Sequence, residues 1–552
     1  MRKIITCLIF LFISYSASPQ NTNGAAFLNQ GALQRPKLII GIVVDQMRWD
    51  FLYRYYDRYQ AGGGFKQLLN QGFSCENTFV PYTPTITACG HTCIYTGSVP
   101  AINGITGNDW WDYKLSQLVY CTSDSTARTI GSNTDAGQMS PHNLLVTTIG
   151  DELRLATNFR SKVIGIALKD RAAILPAGHS ANGAYWYDDK TGDWITSSYY
   201  MSDLPKWLKD LNTKKLTDLY YAKEWNTLYP LDTYVQSTAD DEPYEYKPFG
   251  ANTRGFPYNL SQFIGKNYGL LPVTPYGNMV TFEVAKAAIL GEQLGGGNFT
   301  DLLAISLSTP DYIGHTFGPN SVEAEDVYLR LDKDLGEFIG FLDKQIGKGN
   351  YLVFLSADHG ANQIPAFLKE HKIPAGSVAS STISDQLNSY LKDKFKKDKL
   401  VIDIMNYQVY LDRNLMNESH INKADVYREA ISFLLNQPGI SKAVPLDALS
   451  ETTLNSELKN AMANGDYPSR SGDIQLVYLP QWIDGFENRG TTHGVWNPYD
   501  SHIPLVWFGW NIQAGKTNRQ VYMTDIAPTI AAMLHIQMPS GSIGHVIGET
   551  IK

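Results

Sequence analysis

The 552-residue sequence predicts an α/β protein: a doubly wound, mostly parallel sheet between helices, with an inserted cap and a smaller α+β unit. Two observations carry that prediction. Four continuous apolar runs each end in charged residues or histidine, as strands buried on both faces do. Between the last two runs lies a long amphipathic segment, so strand, helix and strand follow one another as in a right-handed crossover.

The elements follow in order. Residues 1–20, MRKIITCLIFLFISYSASPQ, pair Arg2 and Lys3 with an apolar stretch and small residues, the pattern of a secretory signal peptide removed on export. The apolar stretch is shorter than the roughly 20 residues of a membrane span, and no later segment qualifies, so no stable membrane insertion is expected after cleavage. Cys7 precedes most of that stretch and is not placed for lipid attachment. Residues 21–36 read as a linker, and KLIIGIVVD (37–45) as the first buried strand. PTITACGHTCIYTG (84–97) is expected to hold a short helix from Ala88 towards Gly97, with Thr87 just before it.

KVIGIALKDR (162–171) gives the second strand. Residues of about 180–290 are rich in Tyr and Trp; AYWYDDKTGDWITSSYY suggests a hairpin around Lys190 to Gly192, within a cap beside the site. DLLAISLSTPD (301–311) and NYLVFLSADHG (350–360) are the remaining strands. Between them Val327, Leu331, Leu335, Phe338, Leu342 and Ile346 recur at spacings of three and four, closed by Gly347 and Gly349. Residues of about 362–485 mix helical stretches with strands such as DIQLVYLP and form the second insertion. In open α/β sheets ligands bind outside the carboxyl ends of the strands, where the polar ends of these runs fall.

A net charge of −8, from 54 acidic and 46 basic residues, argues against nucleic acid, which demands clustered cations. After export four cysteines remain, Cys75, Cys89, Cys93 and Cys121, and their three possible pairings stay open.

The strand ends and loops offer Asp45, Asp311 with His315 four residues on, Asp358 beside His359, and His493 in GTTHGVW. Three carboxylates and three imidazoles form a mixed oxygen and nitrogen set suited to zinc, and divide naturally between two ions. Two metals can hold the attacking and leaving oxygens of an in-line displacement at phosphorus. An isolated Asp-His pair is more often a capped turn; the signal is that all six fall at strand ends or in loops. A metal could activate a threonine hydroxyl, and Thr87, before a helix whose N-H groups welcome phosphate, is better placed than Thr85. The bland alternative for either threonine is a helix cap.

The order Asp45, TACGH with Thr87, GND with Asn108, STPDYIGH, SADHG and TTHGVW resembles the alkaline phosphatase superfamily from about residue 37 onward. It is most similar to the phosphate-irrepressible flavobacterial alkaline phosphatases, related to the nucleotide pyrophosphatase/phosphodiesterases. The resemblance implies the alkaline-phosphatase-like fold over residues 37–552 and a monomeric, periplasmic or secreted enzyme that hydrolyses phosphate monoesters. It implies two zinc ions per chain, one held by Asp311, His315 and His493, the other by Asp45, Asp358, His359 and the Thr87 oxygen. Thr87 would be the nucleophile that becomes phosphothreonine, and Asn108 would donate to a phosphoryl oxygen. Lys169 and Arg171, in KDR, would bind the dianionic phosphoryl group in the monoesterase branch. Without the resemblance that triplet reads as a solvated strand end.

Weaker diesterase activity is expected from the shared two-metal core, and a nucleotide pyrophosphatase/phosphodiesterase is the alternative. A sulfatase of this superfamily would need a C/S-x-P-x-R motif, and TACGH lacks its proline and arginine. His91 and His179 are assigned structural roles; the remaining histidines show no ligand-like context.

Overall fold

The apolar runs are strands in the computed structural model, which describes residues 33–485 and 489–551. The signal peptide expected over residues 1–20 lies outside them. In chain order the main sheet contains β1 (Leu38–Val44), β2 (Phe73–Cys75), β3 (Thr129–Ile130), β4 (Val163–Ala167), β5 (Gly183–Asp188), β6 (Asp193–Ser197), β7 (Asp301–Leu307), β8 (Tyr351–Ser356), β9 (Leu505–Gly509) and β10 (Gly515–Thr517). Their spatial order is β10-β2-β9-β8-β1-β7-β4-β5-β6-β3.

Every residue of β1, β4, β7 and β8 is buried, which is why these runs carry no polar alternation. β1 lies parallel between β7 and β8, and β7 is also parallel to β4. Val44 pairs with Leu307, Val43 with Ser356, and Ser306 with Ala167. This register puts Asp45, Asp358 and Lys169 one or two residues past three strands that end on the same edge, and Asp311 one helical turn past the fourth. β9 runs antiparallel to β8, so the sheet is mixed but mostly parallel at its centre.

Four helices bear on the site: α1 (Thr87–Thr96), α2 (Asp170–Ala177), α3 (Thr309–Phe317) and α4 (Val322–Leu342). α4 starts where the Ser321 side chain accepts from the Ala324 N-H. It buries Val327, Leu331, Leu335, Phe338 and Leu342, then widens into a π-turn over Asp343–Gly347 that buries Ile346. α3 and α4 together form the crossover from β7 to β8, which straddles β1. α1 begins at Thr87 itself, one residue earlier than the sequence suggests, and ends at Gly97 in the left-handed conformation, φ 63°.

The hairpin expected near Lys190 joins β5 and β6, with Asp188 opposite Asp193, and both strands extend the main sheet. Residues Val401–Met405, Gln408–Leu411, Ile440–Pro445 and Ile474–Tyr478 form a separate four-stranded antiparallel sheet. Leu387, Leu391, Val409, Val426, Leu434 and Ile474 fill its own core. Among the described residues no helix is long and apolar enough to cross a membrane. Cys75, Cys89, Cys93 and Cys121 are all free and buried, and act as small apolar side chains.

α1 is buried along its whole length, because it runs close against the end of β8. Gly90 makes that approach possible: a Cβ there would lie 2.4 Å from the Asp358 carbonyl oxygen. That oxygen is backbone and cannot swing aside, so Gly90→Ala is expected to lower stability by about 1–3 kcal/mol through overpacking. Thermal unfolding measures this, and metal analysis of the same variant is expected to show weakened metal retention as Asp358 shifts.

Candidate active site

The chain folds its six sequence-predicted ligands into two groups. Asp311, His315 and His493 form one, and Asp45, Asp358 and His359 the other; within each, the donor atoms lie within 4.8 Å of one another. Asp45, Asp358 and His359 are fully buried. α3 sets the spacing in the first group: residues four apart share a helix face, so the His315 Nε2 comes 3.0 Å from the Asp311 Oδ1. His359 Nε2 lies 3.6 Å from Asp45 Oδ1 and 3.4 Å from Asp358 Oδ2.

The hydrogen bonds of the three imidazoles settle which nitrogen faces the site. Nδ1 of His315 meets the Thr491 carbonyl at 2.8 Å, Nδ1 of His359 the Gly360 carbonyl at 3.0 Å, and Nδ1 of His493 the Thr85 carbonyl at 2.7 Å. A carbonyl only accepts, so each Nδ1 donates and each ring turns its Nε2, the atom whose lone pair binds a metal once it is deprotonated, towards the site. This is how metal-ligating histidines are usually held. Asp45 Oδ1 and Asp358 Oδ2 are buried without a hydrogen-bond partner, an expensive condition that a cation relieves. The residues therefore fit two divalent cations.

Electrostatics agrees. Burial, followed by repulsion from Asp311 and Asp358, raises the Asp45 carboxyl well above its ordinary range. Burial and the neighbouring His359 and His315 push His493 well below the usual imidazole value, keeping it neutral. Burial opposes ionisation of Asp311, but His315 and Lys169 outweigh it and hold this carboxyl low. For His315 burial is likewise outweighed, by Asp311, and the imidazole is raised.

The other sequence-predicted residues surround these groups. Thr87, 1% exposed at the start of α1, has its Oγ1 3.3 Å from His359 Nε2, at the rim of the second group. Asn108 accepts the N-H of Ala88, the residue after Thr87, on its Oδ1 at 3.1 Å. Lys169 Nζ donates to Asp45 Oδ2 at 2.6 Å and Asp311 Oδ2 at 2.5 Å, linking the two groups. Arg171, on the first turn of α2, donates from Nη1 to the Tyr120 hydroxyl at 3.1 Å and keeps a buried Nε-H without a partner.

Residues 39–500 match the type I phosphodiesterase / nucleotide pyrophosphatase family. The chain belongs to that family. The alkaline phosphatase PhoV of Synechococcus elongatus is 53% identical over 94% of this chain and 93% of its own. The alkaline phosphatase PafA of Elizabethkingia meningoseptica is 47% identical over 98% of both chains. The solved PafA structure superposes with a TM-score of 0.92 over 95% of this chain and 100% of that one. A PafA variant altered at one threonine, one asparagine, one lysine and one arginine has also been solved. The motif resemblance to the alkaline phosphatase superfamily is thus borne out for this phosphodiesterase-family chain, as is the fold read from it.

Further residues of this family member hold the groups in place, and of these Gln46, Tyr407 and Asp500 escape sequence reading. Gln46, at φ 64°, sends its backbone N-H to Asp358 Oδ1 at 3.1 Å and its Nε2 to Asp311 Oδ1 at 2.7 Å, so one residue ties both groups. The Thr85 hydroxyl is engaged with the backbone: its Oγ1 donates to the Val495 carbonyl and accepts the Gly494 N-H, while Asp500 Oδ2 accepts the N-H groups of Gly494 and Val495. The Tyr407 hydroxyl, from the second sheet, donates to the His493 carbonyl at 2.8 Å. His91 lies between the Thr87 carbonyl, Ser306 and Asp358. Only adjacency in sequence signals Gln46 and Thr85; nothing signals Tyr407 or Asp500.

Metal binding must displace the protons that Asp45 and His315 hold above their ordinary values, so apparent affinity is expected to rise with pH across that region and protons to be released on loading. Metal-buffered titrations of stripped protein at several pH values check this. A pH-independent affinity would contradict it.

Proposed function

We propose that the chain is an exported alkaline phosphatase that hydrolyses phosphate monoesters at a two-zinc site through a phosphorylated Thr87. The observation that carries the reading is a pair of metal-ligand groups bridged by Lys169, with the Thr87 hydroxyl 3.3 Å from His359 of the second group. The alkaline phosphatase relatives support the activity, and the solved PafA variant was altered at the same four residue types as Thr87, Asn108, Lys169 and Arg171. The oxygen and nitrogen donor set suits zinc.

When bound, two such ions supply Lewis acidity to the attacking and leaving oxygens. The chain supplies the rest. Thr87 Oγ gives up its proton to solvent and attacks phosphorus, the bond from phosphorus to the ester oxygen breaks, and the alcohol leaves and takes a proton from solvent. Water then attacks the phosphothreonine, restoring the hydroxyl and releasing phosphate. Asn108 NH2, the Lys169 ammonium and the Arg171 fork offer donors to the non-bridging oxygens, whose dianionic charge in a monoester rewards cations more than a diester does. Tyr120 fixes the fork: it accepts from Arg171 and donates to Asp170 Oδ1 at 2.7 Å.

The family match, to phosphodiesterases and nucleotide pyrophosphatases, favours a second reading in which diesters are the preferred substrates. Lys169 separates the two. Lys169→Ala is expected to lower kcat/KM for an aryl phosphate monoester by about 100-fold to 1,000-fold, the scale for loss of one preorganised donor. Turnover of the matching methyl diester should fall far less; equal losses on both would refute the assignment. Thr87→Ala is expected to retain two zinc ions while losing about three orders of magnitude or more of monoester turnover. Rapid-quench labelling should find phosphate on the wild-type threonine and none on the variant.

A further inference from the structure

Lys169 is held by contacts of two kinds. Its ammonium donates to Asp45 Oδ2 at 2.6 Å and Asp311 Oδ2 at 2.5 Å, and it lies over the ring of Tyr312, 5.1 Å from the centroid. That is inside the roughly 6 Å over which an ammonium is drawn to the negative face of an aromatic ring. Tyr312 directly follows Asp311 in α3, so one stretch of helix brings both an anion and a ring to the same lysine. The lysine itself stands just before α2 in extended backbone, and its long flexible stem leaves the ammonium to be placed by what surrounds it.

The two kinds of contact respond differently to metal. Asp45 and Asp311 belong one to each ligand group, so when two divalent cations are bound both carboxylates share their charge with the ions and pull less strongly on Lys169. The ring has no lone pair to give a metal and keeps its hold. Arg171, two residues on, adds a repulsion between cations. Lys169 is 5% exposed, and a desolvated ammonium gains more from a ring face than one in water does. Tyr312 also packs at the edge of the main core, and the test has to separate that packing from its hold on the lysine.

We propose that Tyr312 is a positioning residue: its ring face fixes the Lys169 ammonium and, through it, the preference for phosphate monoesters over diesters. This rests on the role proposed above for Lys169.

The test measures kcat/KM of zinc-loaded protein for an aryl phosphate monoester and its methyl diester. Tyr312→Leu keeps apolar bulk without a ring, and is expected to lower monoester turnover by about 5-fold to 30-fold, the scale of a desolvated contact between cation and ring, and diester turnover far less. Tyr312→Phe keeps the ring and should restore the ratio. Pentafluorophenylalanine in place of Tyr312 keeps the outline but reverses the charge of the face, and should repeat the loss with two zinc ions retained. Calorimetry with inorganic phosphate should show weaker binding in Tyr312→Leu. In a Lys169→Ala background, Tyr312→Leu should alter neither the ratio nor phosphate affinity. A selective loss in Lys169→Ala that Tyr312→Leu and the fluorinated protein do not share would overturn this inference alone, as would equal losses on both esters. No selective loss in Lys169→Ala would overturn the reading of Lys169 and this inference with it.

Discussion

The structure turns on the cost of burying three carboxylates side by side. Two like charges about 4 Å apart repel by about 4 kcal/mol at an effective dielectric near 20, and Asp45 and Asp358, with donor atoms within 4.8 Å of one another, are buried together, with Asp311 buried in the other group. Nothing in a hydrophobic core tolerates such a cluster unless cations share it. Lys169 supplies one positive charge between Asp45 and Asp311; the Nε2 atoms of three imidazoles, aimed inward, specify what else must enter. The fold solves the assembly problem with parallel strands. Because β1, β4, β7 and β8 run the same way, residues far apart in sequence emerge on one edge, and a shift of register by one residue would scatter them.

Much of this was legible in the sequence, for reasons visible in particular residues. KLIIGIVVD and NYLVFLSADHG are apolar throughout because both faces of the strand are covered, and each breaks into charge where the sheet ends. Val327 to Leu342 betray α4 by their period. Ligand types are legible because Asp and His are rarely buried without partners. Gln46 was not legible: its side chain looks ordinary, and only the backbone turn at φ 64° lets it reach Asp358 and Asp311 at once. Nor were Tyr120, Tyr407 and Asp500, whose roles are hydrogen bonds to partners distant in sequence. The start of α1 was misplaced by one residue since no polar side chain caps it; Ile86 holds that position. The free state of the cysteines is equally invisible from spacing, being fixed by where Cys75, Cys89, Cys93 and Cys121 lie in the packed core.

His493 shows how a ligand from a loop is made as firm as one from a strand. Thr85 takes its Nδ1-H on a backbone carbonyl, Asp500 gathers the next two N-H groups, and the neighbouring glycine opens the path, since at φ 123° a Cβ on Gly494 would lie 2.1 Å from the Tyr407 ring. Each contact is modest alone, worth about 1 kcal/mol. Together they leave the imidazole one orientation.

One of those contacts crosses from the second sheet. The Tyr407 hydroxyl bonded to the His493 carbonyl means that the unit built on residues 401–478 is welded to the catalytic half rather than hung from it. Shortening or removing the unit would take away a hydrogen bond that holds the His493 backbone, so the two parts of the chain are mechanically coupled.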